Sequence, residues 1–172
     1  MENFKIIRKL ESTSSRLLKE EIILNEMKNE NKVFFKGMSL AYNKLLTFGV
    51  KQVPKSESSG DGLEWEEFSQ LADKLVSRNL TGHAARDEIL AKMKKSYKDE
   101  WNFFYKRILQ KDMRCGVSEK TINNVAKKNG FVEYIIPVFA CQLAQDSELH
   151  QKKLTGEKFL EVKLDGVRVI TV

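Results

Sequence analysis

Apolar side chains recur at three- and four-residue spacing through most of the first 130 residues, and this period admits little but a helical fold. Phe4, Ile7 and Leu10 begin the pattern. The serine cluster Ser12 to Ser15 interrupts it and offers a cap for a second helix carrying Leu18 and Ile22. Asn29 to Asn31 interrupts it again before a third stripe of Phe34, Met38, Ala41 and Leu45. Gln52 to Gly62, with Pro54, three serines and two glycines, is a polar loop within the domain.

Beyond that loop four more helices are expected. Glu64 to Glu67 place negative charge at the positive end of a helix that buries Trp65, Phe68, Ala72 and Leu75. Thr81-Gly82 opens a fifth, with Thr81 as N-cap and Ile89 and Met93 inward. Asp99-Glu100 opens a sixth, carrying Trp101, Phe104, Ile108 and Leu109. Arg114-Cys115-Gly116-Val117-Ser118 reads as a glycine turn into a seventh, capped by Ser118 and stopped by Gly130. No internal repeat or heptad register is visible, which argues against a solenoid or coiled coil.

The last residues change period. Leu160, Val162 and Leu164 alternate with Glu161 and Lys163, Asp165-Gly166 suits a two-residue turn, and Val167 to Val172 forms a second strand. An ordinary hairpin with solvated charges would show the same alternation. The expected fold class is therefore mainly α: an all-helical domain over residues 1–130, then the start of an α+β domain over 131–172, entered by this β-hairpin.

With 172 residues, 41% hydrophobic and 31% charged, the chain can bury a real core and is not of disordered type. Its formal charge of +6 favours a polyanionic partner without choosing one. The excess is local, since residues 98–130 hold eight Lys and Arg against four Asp and Glu. Two cysteines, Cys115 and Cys141, lack the number and spacing of a zinc site or a disulfide framework, so a reduced, cytoplasmic protein is expected. The longest apolar run, Tyr134 to Cys141, contains Pro137 and is too short to cross a bilayer, so no membrane association is expected. His83 and His150 have no partner pattern, and surface or capping roles are expected for both.

Two helix starts are candidate anion sites, because free N–H groups at a helix N-terminus bind phosphate oxygens and a glycine lets the backbone approach. The first comprises Arg114, Gly116, Ser118 and Lys120. The second is Thr81 and Gly82, with less charge nearby. A capped helix after a glycine turn is also common as plain structure.

Lys163-Leu164-Asp165-Gly166-Val167-Arg168 matches K-x-D-G-x-R, the adenylation motif of the covalent nucleotidyltransferases. With Leu80-Thr81-Gly82-His83-Ala84-Ala85, Asp112-Met113-Arg114-Cys115-Gly116 and Gln142-Leu143-Ala144, the chain resembles the N-terminal part of an ATP-dependent DNA ligase, closest in layout to the T-even-like bacteriophage type. The resemblance implies a DNA-binding helical domain followed by an adenylyltransferase domain, with ATP and Mg2+ as cofactors and nicked double-stranded DNA as partner. A monomer is expected, in the host cytoplasm if phage-encoded. It implies that Lys163 is the nucleophile that takes AMP, that Glu161 lies near the adenosine, and that Arg168 contacts the nucleotide or the nick phosphate. Asp165 serves either the turn or the chemistry. The later ligase motifs do not occur before Val172, so a fragment that neither adenylates itself nor seals nicks is expected. Two other classes stay open: a non-catalytic module that grips duplex DNA, and an RNA ligase or capping-type nucleotidyltransferase.

Overall fold

The computed structural model describes residues 3–138 together with 148, 151 and 155–157. The chain divides into two compact units, Met1–Phe139 and Ala140–Val172. The expected hairpin, with Glu161, Lys163, Asp165, Gly166 and Arg168, lies outside the described residues.

The first unit is helical throughout. α1 (Asn3–Glu11), α2 (Arg16–Lys28) and α3 (Lys32–Tyr42) form the amino-terminal half. Ser15 caps α2 by accepting from the Leu18 backbone N–H at 3.4 Å, and Asn31 caps α3 by accepting from that of Phe34 at 3.2 Å. Both caps fall where the polar clusters interrupt the apolar period. The inward face of α2 differs from the expected one: Ile23 and Met27 are fully buried, whereas Leu18 is half exposed and Ile22 only partly covered. Leu45 lies beyond the end of α3 and is exposed, because Asn43 closes that helix.

After the loop come α4 (Trp65–Val76) and α5 (Gly82–Lys95), packed on each other. Trp65, Phe68, Ala72 and Leu75 are all buried, as their spacing predicts. A continuous rod follows: α6 (Lys98–Glu100), a π-helical turn (Trp101–Tyr105) and α7 (Lys106–Leu109). The rod starts one residue before Asp99, with Tyr97 in the capping position.

The π-helical turn anchors the polar loop. Trp101 Nε1 donates to the Pro54 carbonyl at 2.9 Å, and Tyr105 Oη donates to that of Leu63 at 3.0 Å. Asn102 pairs with both backbone groups of Ser56, each at 2.9 Å. Widening one turn adds a residue to the repeat, which turns these three side chains toward the loop while Phe104 stays in the core. Phe104 stacks near Phe34 and Trp65, with ring centroids 6.4 and 6.3 Å away. This aromatic centre joins the two halves of the unit.

α8 (Glu119–Asn129) packs on α2 and α3 and ends at Gly130, whose φ of +80° supplies the left-handed stop. The chain does not leave the unit at that point. Phe131 and Tyr134 pack against the core, Ile136 is buried, and Asn123 bonds the backbone of Ile136 twice, at 2.9 and 2.8 Å.

Candidate nucleic-acid interface

The segment that enters α8, residues 112–118, is irregular, and burial alternates strictly along it. Met113, Cys115 and Val117 are buried, while Asp112, Arg114, Gly116 and Ser118 are exposed. The core takes the odd positions because they are apolar. Arg114, Gly116 and Ser118, three of the four candidates in this region, are thereby presented together on the outer side. Lys120, one helical residue further, is also exposed.

The carbonyls of the three buried residues are each held by a donor from a different helix. Arg107 of α7 donates to Met113 O at 2.7 Å, Lys19 of α2 to Cys115 O at 2.9 Å, and Tyr42 of α3 to Val117 O. Arg107 also pairs with Glu11 at 2.8 Å, and its guanidinium lies 5.0 Å from the centre of the Phe103 ring. In the opposite direction, Lys111 Nζ donates to the Leu40 and Asn43 carbonyls at the end of α3, at 2.8 and 2.6 Å. Burial pulls the Lys111 ammonium below the ordinary lysine range. Burial likewise holds the Tyr42 hydroxyl protonated well above the usual tyrosine range.

Backbone geometry demands special residues here. Gly116 takes φ +64°, and a Cβ placed on it would lie 2.2 Å from Lys19 Nζ. Arg114 takes φ +50°, stabilised by its own N–H on Asp112 Oδ1 at 3.1 Å and its Nε on Oδ2 at 3.2 Å. Ser118 caps α8 by accepting from the Thr121 N–H at 3.4 Å, as its position predicts.

A hollow of about 350 Å³ opens beside this helix start, lined by Ser14, Arg16, Lys19, Gly116, Lys120, Thr121 and Asn124. Sequence reasoning missed Arg16 and Lys19, which reach the hollow from nearly a hundred residues upstream. Among the described residues no carboxylate pairs with Lys19 or Lys120, whereas Arg16 is bound by Glu20 at 2.7 Å and Arg114 by Asp112. Two uncompensated ammonium groups and hydroxyl and amide donors around a helix N-terminus suit a phosphate-bearing ligand.

The second helix start has more positive charge nearby than expected. Thr81 occupies the N-cap position of α5 but its side chain makes no cap hydrogen bond, and Gly82 takes φ +59° with open space where a Cβ would stand. A hollow of about 330 Å³ here brings Lys51, Arg78 and Arg86 beside Thr81 and Gly82. Arg78 packs so closely on Gly49 that a Cβ there would fall 1.8 Å from its Nη1. Among the described residues none of these three cations has a carboxylate partner.

The described residues thus present two basic hollows at helix starts, and no described helix is long and apolar enough to cross a membrane. No family profile and no curated protein matches the chain. Among solved structures it is similar to one named Pmar-Lig_Pre., with 52% identity and a TM-score of 0.81, over 90% of this chain and 35% of that one. It is also similar to Pmar-Lig_PreS3, with 52% identity and a TM-score of 0.80, over 89% of this chain and 35% of that one. The chain therefore spans about a third of the length of these structures. At such identity the likeness extends to sequence as well as fold, and both names are ligase-related.

Proposed function

We propose that this chain is the amino-terminal part of an ATP-dependent DNA ligase, and that its helical unit holds nicked duplex DNA through the sugar-phosphate backbone. The observation that carries the reading is the 52% identity to ligase-named structures over nine-tenths of the chain. The K-x-D-G-x-R match at Lys163 to Arg168 and the two basic hollows agree with it.

In this reading the helical unit contributes no bond-making. Arg114, Gly116, Ser118 and Lys120, joined by Lys19, meet phosphates at one helix start. Thr81 and Gly82, joined by Arg78 and Arg86, meet them at the other. Backbone amides and cations read no base edges, so the grip is independent of sequence and weakens with salt.

The chemistry belongs to Lys163. Its amine attacks the α-phosphorus of ATP, the bond to the β-phosphate oxygen breaks, and pyrophosphate leaves while AMP stays on nitrogen. AMP then passes to the 5′-phosphate of the nick, and the 3′-hydroxyl displaces it to seal the strand. At an ordinary pKa only about one lysine in 2,500 is neutral at pH 7, so the amine must be deprotonated as it reacts. Arg168 and the Mg2+ that accompanies ATP disfavour the ammonium form by repulsion. Glu161 would lie beside the adenosine.

Two measurements test the reading. A gel shift on nicked duplex at two salt concentrations should show binding that weakens with salt, and Arg114→Glu with Lys120→Glu should weaken it strongly. Incubating the chain, extended through the complete gene, with α-labelled ATP should give a labelled band that disappears in Lys163→Ala. A label that persists in Lys163→Ala would end the ligase assignment; absence of any DNA binding would end the role of the helical unit.

A further inference from the structure

The segment 112–118 has three neutral carbonyls, at Met113, Cys115 and Val117, each bonded by one long side chain. A segment outside any helix or sheet should carry solvated backbone and sample many conformations, since nothing pairs its polar groups. Here every second carbonyl is pinned from beneath, while the intervening residues face outward. The donors are not neighbours in sequence: they come from α7, α2 and α3. Tyr42 contributes only a hydroxyl to this arrangement. It carries no charge, lines neither basic hollow, and sits at the end of α3 under the segment 112–118.

We propose that Arg107, Lys19 and Tyr42 are positioning residues that hold the segment 112–118 in its DNA-bound shape before DNA arrives, with Tyr42 acting through its hydroxyl on the Val117 carbonyl and the Cys115 sulfur. This rests on the DNA-binding reading above. Releasing Val117 frees the residue before the Ser118 cap, so the helix start and Arg114 lose their common alignment. Only the aligned fraction then binds, and apparent affinity falls in proportion to that fraction.

Tyr42→Phe isolates the effect, because it deletes one oxygen and leaves charge and packing intact. Tyr105→Phe is the matched control: its hydroxyl also donates to a backbone carbonyl, that of Leu63, which lies just after the polar loop and outside the segment 112–118. Losing one such bond should weaken binding of the whole chain to nicked duplex about fivefold for Tyr42→Phe. The dependence of log affinity on log salt should become shallower by about 1, because roughly one phosphate contact loses its alignment. Amide exchange in the free protein should quicken at residues 116–121. Tyr105→Phe should leave affinity, salt slope and exchange at 116–121 at wild-type values. Wild-type behaviour of Tyr42→Phe, or equal losses in both variants, would overturn the proposal. Should the wild-type chain fail to bind duplex at all, the DNA-binding reading falls by itself. Unchanged exchange in Tyr42→Phe would then dispose of the latch separately.

Discussion

Asn123 and Ile136 form a reciprocal pair: the amide of Asn123 donates to the Ile136 carbonyl at 2.9 Å and accepts from the Ile136 N–H at 2.8 Å, in a buried setting. A single side chain thus takes the place of a backbone partner for both polar groups of Ile136. Asn123→Ala strands two buried backbone groups, and the cost of leaving such groups unpaired predicts a loss of about 2–4 kcal/mol. Urea unfolding of the two proteins measures it. A loss below about 0.5 kcal/mol would mean that water replaces the amide without penalty.

Gly37 lies in mid-helix on α3, where a Cβ would stand 2.5 Å from Phe104 Cζ and 2.9 Å from Ile108 Cδ1. Alanine is the better helix former by about 1 kcal/mol, but overpacking a core costs about 1–3 kcal/mol. Since both neighbours are fully buried, overpacking should win, and Gly37→Ala should lower Tm. A raised Tm would show that the aromatic centre can give way.

Burial pushes the Cys115 thiol above its ordinary range, with its sulfur 3.7 Å from the Tyr42 hydroxyl. In a Cys141→Ser background, native protein at pH 8 should react with a thiol reagent at least about a hundredfold more slowly than urea-unfolded protein. Comparable rates would place Cys115 at the surface.

Lys95 and Lys92 of α5 hold the Glu67 carboxyl of α4 below the usual glutamate range through hydrogen bonds. A depressed folded pKa contributes stability above the unfolded value, and that contribution disappears as pH falls through the folded one. The Tm gap between wild type and Glu67→Gln should therefore be widest at neutral pH and close as the solution becomes more acid than the usual glutamate range. Added salt should narrow it at neutral pH. A gap that is constant from pH 7 to strongly acid solution would exclude the ion pair as its source.

The helical architecture could be read from local signals because caps and apolar periods act over single turns. Ser15, Asn31, Ser118 and Gly130 all perform the terminating roles that their positions suggest. The face of α2 was harder to read, since apolar residues surround much of that helix and Ile23 and Met27 compete with Leu18 and Ile22 for the core. The π-helical turn was not legible, because Trp101, Phe104 and Ile108 fit an ordinary helical spacing equally well. Half of each basic hollow was local. Arg16, Lys19 and Lys51 arrive through tertiary packing, which no window of sequence around Gly116 or Gly82 contains.

The outer side of residues 112–118 depends on two fixed backbone conformations, the left-handed φ of Arg114 and of Gly116. Inserting or deleting one residue between Lys111 and Ser118 would bring other side chains to the left-handed positions and move the carbonyls away from Arg107, Lys19 and Tyr42. Length changes there should therefore be poorly tolerated, whether of one residue or of two.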